Sequence, residues 1–347
     1  MKMTFRWYGY DDKNTLDYIR QIPGMTGVVT ALYTVPVGEV WPEDEVARLH
    51  DYVTSHGLEM EVIESVPVSE DIKLHRGDYK RHIENFKENI RILSRHDVKC
   101  ICYNFMPVFD WTRSQLDHKL PDGSEALVYY KEDVDKLDPT KLTLPGWDAS
   151  YKPSEVKELI EAYKKLGEEG LWANLKYFLE EIIPVARECD VLMAIHPDDP
   201  AWPIFGIPRI ITCEKNLDRF LGLVDDHYNG LTLCSGSLGT NPQNDMVHLV
   251  KKYAAMDRIH FAHIRNIKLV GDQSFEESAH YSKCGSLDMF GMIKAYHDAG
   301  YTKYIRPDHG RMIWDEKAKP GYGLYDRALG SMYITGIWEA LDRMEDK

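Results

Sequence analysis

Eight short apolar runs alternate with stretches of helical period, and this alternation predicts an α/β fold, a TIM (β/α)8 barrel. The runs are rich in β-branched and aromatic residues, as strands are. Parallel neighbours need a crossover between them, and a helical stretch supplies one. An open doubly wound sheet is the structural rival, yet neither G-x-G-x-x-G nor G-x-x-x-x-G-K-[ST] occurs.

The predicted strands are residues 3–8 (MTFRWY), 26–32 (TGVVTAL), 59–65 (EMEVIES), 99–105 (KCICYNF), 190–196 (DVLMAIH), 230–235 (GLTLCS), 259–265 (IHFAHIR) and 302–308 (TKYIRPD). Between them, Tyr79, Ile83, Phe86, Ile90 and Leu93 step by four and three, which marks one apolar face of a helix. Val156, Leu159, Ile160 and Tyr163 repeat the pattern, as do Leu175, Phe178, Leu179, Ile182, Ile183 and Ala186. Residues 107–150 break the rhythm after the fourth strand. That span holds Trp111, Arg113 and the turn-forming Pro121-Asp122-Gly123, and is too long for an ordinary connection. It is expected to be an insertion on the active-site side, either a lid or a mobile surface loop. No linker divides the chain, so residues 1–347 are expected to form a single barrel domain.

Composition narrows the partners. The 347 residues carry a formal net charge of −14, which argues against nucleic acid and anionic membranes as main partners. No run of about 18 apolar residues occurs, and the N-terminus lacks a signal-peptide core. The six cysteines are sparse, which fits a reduced, cytoplasmic protein. Cys100 and Cys102 would share one face of a strand, without a second pair nearby to complete a zinc site.

The chemistry gathers at the strand ends. Four consecutive predicted strands end in a possible metal ligand: His196, Cys234, His263 and Asp308. In a TIM barrel those ends meet at one mouth. Any one of them alone reads as a packed or solvated side chain; together at one level they point to an open divalent site. Imidazole with thiolate favours zinc or iron, while a carboxylate also suits manganese. Arg265 lies two residues beyond His263 on the same strand face, Arg209 follows the fifth strand, and Arg311 follows His309. Arginine binds carboxylates through paired hydrogen bonds, so these three are candidate substrate contacts. His309 is a candidate general acid or base. Tyr322 sits in a glycine-flanked loop, and Asn104, Glu64, Arg6 and Trp7 end earlier strands and are candidates for the same mouth.

Several blocks carry a family resemblance: Met3-Thr4-Phe5-Arg6-Trp7-Tyr8-Gly9, Ile195-His196-Pro197-Asp198-Asp199-Pro200, Leu233-Cys234-Ser235-Gly236-Ser237, His260-Phe261-Ala262-His263-Ile264-Arg265-Asn266, Arg306-Pro307-Asp308-His309-Gly310-Arg311 and Gly321-Tyr322-Gly323. Over nearly the whole chain it resembles the mannonate dehydratases of hexuronate (glucuronate) breakdown, within the xylose-isomerase-like barrels. The resemblance implies dehydration of D-mannonate to 2-dehydro-3-deoxy-D-gluconate. It further implies Mn2+ or Fe2+ at His196, Cys234, His263 and Asp308, a cytoplasmic location and a homodimer. In such a reaction a C2 proton leaves and a C3 hydroxide departs. His309 and Tyr322 are expected to share the base and acid roles, with Asp308 as a competing base. Arg265 and Arg209 are expected to hold the substrate. A metal-dependent sugar isomerase, a non-catalytic sugar-acid binding protein and a barrel endonuclease are the alternatives, the last disfavoured by the acidic charge.

Overall fold

A computed structural model of the chain describes residues 1–139 and 153–345. Its strands are β1 (Lys2–Arg6), β2 (Met25–Thr30), β3 (Glu59–Glu64), β4 (Cys100–Tyr103), β5 (Gln115–Lys119), β6 (Glu125–Tyr129), β7 (Leu192–Ile195), β8 (Asn229–Cys234), β9 (Ile259–Ile264), β10 (Asn266–Gly271), β11 (Ser274–Ser278) and β12 (Tyr304–Pro307). Eight of them close a barrel in the order β1-β12-β9-β8-β7-β4-β3-β2. All barrel pairings are parallel, and β1 completes the ring by pairing with β12 at Met3↔Ile305 and with β2 at Phe5↔Val28. Each of the eight predicted strands is one of these, its ends moved by a few residues at most.

Strands covered on both faces read as continuous apolar runs, and β4, β8 and β9 are buried at every position. Alternate side chains point opposite ways. Val29, Val62, Cys100, Cys102, Ala194, Phe261 and Tyr304 fill the barrel interior. The other set, including Val28, Ile63, Ile101, Ile195 and Ile305, packs in the larger core shared with the helices.

The helix Tyr79–Ser94 buries Ile83, Phe86, Ile90 and Leu93, the face that the spacing predicts. Phe86 meets Phe178 edge-on with ring centres 5.1 Å apart; truncating a ring buried this way costs about 3–5 kcal/mol. The long helical segment Pro153–Glu188 is two helices meeting at Gly167, where φ of 68° and ψ of 178° leave helical space. Asp245 and Asp288 cap the helices Met246–Ala255 and Met289–Asp298 by accepting from His248 N at 3.0 Å and Gly291 N at 2.9 Å.

The insertion after β4 is a built element over residues 107–139, not a free loop; residues 140–150 of the expected span lie outside the described residues. Strands β5 and β6 form a hairpin around Pro121-Asp122-Gly123, with Gly123 at φ 86°. A second hairpin, β10–β11, follows β9 and is absent from the sequence-based expectation. β11 pairs antiparallel with β6 at Phe275↔Tyr129, so the two insertions make one sheet, β10-β11-β6-β5. Tyr129 stacks on Phe275 at 5.8 Å, and Trp202 from the segment after β7 packs edge-on against Tyr129 at 5.4 Å. These rings seat the small sheet on the barrel. Among the described residues, no helix is long and apolar enough to cross a membrane.

Candidate active site

The C-terminal ends of the barrel strands surround a cavity of about 230 Å³. Arg6 from β1, Glu64 from β3, Asn104 after β4, His196 after β7 and Arg306 from β12 reach it, as do Asp308, His309, Tyr322 and Trp111. Parallel strands present these ends at one level, which is why residues far apart in sequence meet here.

His196, which lines the cavity, brings one ligand atom within 4.8 Å of one each from Cys234 and His263. Glu64, Cys102 and His263 form a second such group. Asp308 adjoins the first set, with Oδ2 3.5 Å from Cys234 Sγ and Oδ1 3.9 Å from His263 Nδ1. Burial pushes His196 below its usual value and takes His263 down to about 3, helped by Arg306, so both rings are neutral. Burial pushes the Cys234 thiol up to about 12. Burial opposes ionisation of Asp308, but the surrounding charge, including the Arg306 and Arg265 guanidinium groups, outweighs it and holds the carboxyl well below the usual range. His263 Nε2 and Glu64 Oε2 face each other at 3.5 Å, both buried, at the long limit of a hydrogen bond. Neutral imidazoles, a carboxylate and a thiol at this spacing suit a divalent ion of intermediate softness.

Next to this set lies the pair the sequence singles out for proton transfer. His309 Nε2 is 2.8 Å from the Tyr322 hydroxyl. Two loops bring them together: Gly310 N donates to Gly321 O at 2.9 Å, and Tyr322 N to Lys319 O at 2.8 Å. Gly321 sits at φ 79°, where a side chain would be strained and a Cβ would press on Leu127. Asn14 Nδ2 and Arg327 Nη2 each donate to Tyr322 O at 2.7 Å, fixing the phenol's backbone. Burial, then Tyr8 and Asp308, push the Tyr322 phenol well above its ordinary value.

His309 Nδ1 faces both the Arg265 guanidinium at 2.9 Å and Glu277 Oε1 at 3.2 Å. One neighbour donates and the other accepts, so either tautomer of the ring finds a partner there. Glu277 comes from β11 in the small sheet. It shares a buried ion cluster with Asp199, Arg113 and Arg265. Arg113 reaches Asp199 Oδ1 at 2.8 Å and Glu277 Oε1 at 2.6 Å. Arg265 reaches Asp199 Oδ2 at 2.7 Å and Glu277 Oε1 at 3.0 Å. Two cations and two carboxylates balance, and the small sheet is thereby tied to the barrel. Gly236 makes room for Arg265, since a Cβ there would collide with its Nε.

Of the expected substrate contacts, Asn104 lines the cavity, its Oδ1 accepting from Met106 N at 3.1 Å. Arg265 stands behind the wall, committed to Asp199 and Glu277. Arg209 is buried elsewhere, bonded to Asp198 at 3.4 Å and to Phe109 O at 2.7 Å, so it fastens a loop. Arg311 pairs with Asp326 at 2.9 Å and Asp122 at 2.8 Å, outside the cavity. Trp7 points to the helix layer, stacking on Tyr52 at 6.0 Å. Arg209, Arg311 and Trp7 are thus not cavity residues: the first two have carboxylate partners already, and strand parity turns Trp7 outward. The sequence reading missed Arg306, which holds Asp308 Oδ1 at 2.8 Å and Glu64 Oε1 at 3.1 Å. It also missed Glu277, Asp199 and the cavity residues Tyr8, Tyr33 and Lys319.

Comparison with known proteins adds lineage to this geometry. A family model described as D-mannonate dehydratase (UxuA) matches residues 1–347. Mannonate dehydratase 2 of Halalkalibacterium halodurans is 55% identical over 343 residues, covering 98% of this chain and 99% of the relative. Mannonate dehydratase of Thermotoga maritima is 54% identical over 359 residues, covering 100% of this chain and 99% of the relative. The crystal structure of mannonate dehydratase from Streptococcus suis serotype 2 superposes with a TM-score of 0.94 at 48% identity, covering 100% of this chain and 96% of that one. D-psicose 3-epimerase of Clostridium cellulolyticum H10 shares the fold alone, at TM-score 0.55 and 13% identity over 99% of this chain and 97% of that one.

Proposed function

The chain belongs to the D-mannonate dehydratase family and dehydrates D-mannonate to 2-dehydro-3-deoxy-D-gluconate, and from that premise we propose which residues carry the reaction. We assign a divalent ion, Mn2+ or Fe2+, to His196, Cys234, His263 and Asp308. The observation that carries this assignment is the closeness of three ligand atoms, from His196, Cys234 and His263, beside the depressed carboxyl of Asp308. When bound, such an ion is a Lewis acid that lowers the cost of negative charge developing beside the substrate carboxylate.

The remaining work falls to the chain's own side chains. Tyr322 keeps its proton, because burial and the charge of Asp308 disfavour the phenolate. It is therefore the donor to the departing C3 hydroxyl. His309 Nε2 takes the C2 proton, with Glu277 accepting from Nδ1–H while the ring gains charge. The 2.8 Å contact then passes that proton to Tyr322 and restores both groups. One proton and one hydroxide leave the substrate as water. The enol left behind takes a proton at C3 as its C2 hydroxyl releases one, and becomes the 2-keto acid. Trp111, edge-on to His309 at 5.7 Å, covers the ring and limits water there.

A cytoplasmic homodimer remains part of the proposal. The last helix, Tyr325–Glu345, supports a second copy by leaving Tyr325, Leu329 and Met332 exposed at spacings of four and three.

The test is to incubate chelator-stripped protein with D-mannonate and Mn2+, Fe2+, Zn2+ or no metal, then assay the 3-deoxy-2-keto acid. Product is expected only with Mn2+ or Fe2+. In the metal-loaded enzyme, His309→Asn and Tyr322→Phe should each lower kcat by about 100-fold or more with KM little changed. Product from fully stripped protein would end the metal assignment, and near-normal turnover in both variants would end the proton-transfer assignment.

A further inference from the structure

D-Mannonate is an anion, and the two arginines expected to hold it, Arg265 and Arg209, are both engaged internally. The same holds for the arginines that line the cavity. Arg6 pairs with Glu64 at 3.7 Å, and Arg306 with Asp308 at 2.8 Å and Glu64 at 3.1 Å. Withdrawing any of these guanidinium groups to meet a ligand would strand a buried carboxylate, which is more costly than the new contact is favourable.

Lys319 is different. It lines the cavity, and among the described residues its ammonium has no carboxylate partner within ion-pair distance. It rests over the Tyr8 ring, 3.9 Å from the centroid, and lies 5.9 Å from the centre of the Tyr322 ring. A ring face attracts a cation without cancelling its charge. The ammonium is thus held in place yet electrostatically unspent. Arg6 sits 4.9 Å from the same ring, and Tyr322 packs edge-on against it at 4.9 Å, so Tyr8 itself is well fixed.

We propose that Lys319 is the specificity-determining residue that binds the substrate's C1 carboxylate, selecting aldonate anions over neutral polyols. This rests on the dehydratase reading of the site. The turn geometry links charge recognition to chemistry: Lys319 O accepts from Tyr322 N at 2.8 Å, so the ammonium and the phenol belong to one turn. C2 and C3 follow C1 along the substrate chain. A carboxylate anchored at Lys319 therefore turns its reacting carbons toward Tyr322 and His309.

The experiment compares the metal-loaded parent with Lys319→Met and Lys319→Arg. Methionine keeps an apolar stem on the Tyr8 ring and removes the charge. Steady-state turnover of D-mannonate and calorimetric affinities for D-mannonate and neutral D-mannitol are measured on all three. Loss of one charge-assisted contact corresponds to about a 10- to 100-fold weakening. Lys319→Met should show that loss in KM and in D-mannonate affinity, with kcat changed less and D-mannitol affinity unchanged. Lys319→Arg should stay within about fivefold of the parent. A D-mannonate KM and affinity in Lys319→Met within about twofold of the parent would overturn the proposal, and so would equal weakening toward D-mannitol. If the parent itself forms no 3-deoxy-2-keto acid, the reaction reading fails, and the calorimetric comparison still decides whether Lys319 reads the carboxylate.

Discussion

A thiol becomes a strong metal ligand only as the thiolate, and Cys234 in its buried setting keeps its proton up to about pH 12. The three other proposed ligands are already in their metal-binding protonation states near neutrality. Burial holds His196 and His263 neutral, and the surrounding cations hold Asp308 ionised. Binding of the ion should therefore release one proton, from Cys234, rather than two or three. The apparent metal affinity should rise about tenfold per pH unit between roughly pH 6 and 8. Calorimetric titration with Mn2+ in buffers of different ionisation enthalpy counts the protons directly. A count near zero would mean that Cys234 does not ligate as a thiolate. These four residues were legible in the sequence because each closes a predicted strand, and strand ends converge in a closed barrel. The fates of Arg209 and Arg311 were not. Each is decided by a carboxylate, Asp198 and Asp326 respectively, that only the folded chain brings within reach. Glu277 was hidden more deeply still, because Arg113 lies 164 positions away and no local pattern announces their contact.

At the scale of elements, the small sheet borders the proposed active site. It supplies Glu277 to His309, and Arg113 binds it to the barrel through Asp199. Both arginine partners are buried, so removing Arg113 leaves charge uncompensated in a low-dielectric setting. Arg113→Met should cost about 3–5 kcal/mol in the free energy of unfolding, read from denaturant titration. The pH dependence has a definite sign. Burial alone would raise Asp199 and Glu277, but Arg113 and Arg265 take them below their ordinary 3.8 and 4.5. Groups with depressed values contribute full stability above about pH 5, and that contribution drains as the pH falls. The variant should therefore lose stability at neutral pH and show a shallower acid limb than the parent. Equal stability at pH 7 would show that the sheet is seated by Tyr129, Phe275 and Trp202 alone. The sequence revealed half of this element. Residues 107–150 stood out by length, and Pro121-Asp122-Gly123 marked its turn. The partner hairpin β10–β11 did not stand out, because its strands are short and follow β9 with a single residue, Arg265, between. Its pairing with β6 is long-range, and no local periodicity encodes it.

For the whole molecule, the question is whether the ion holds the barrel together or only works in it. The proposed ligands stand at the ends of strands whose pairing is complete without them: β8 pairs with β7 and β9, and β9 with β12, through backbone registers that no side chain at the mouth interrupts. The interior cluster from Val29 to Tyr304 and the larger helix-facing core are apolar and closed. A chain of 347 residues buries about three quarters of its unfolded surface, whereas domains that unfold without metal are small and have little core. Stripping the ion should therefore abolish dehydration and leave the barrel folded, with unchanged far-ultraviolet circular dichroism and one cooperative unfolding transition. Restoring Mn2+ at about 100 times its Kd should add about 2.7 kcal/mol. In a chain of this size that corresponds to a rise in Tm of about 4 °C. Loss of cooperative unfolding in the stripped protein would show that the strand ends need the ion to stay together. A Tm unmoved by Mn2+ would show that the four side chains do not bind it in the folded state.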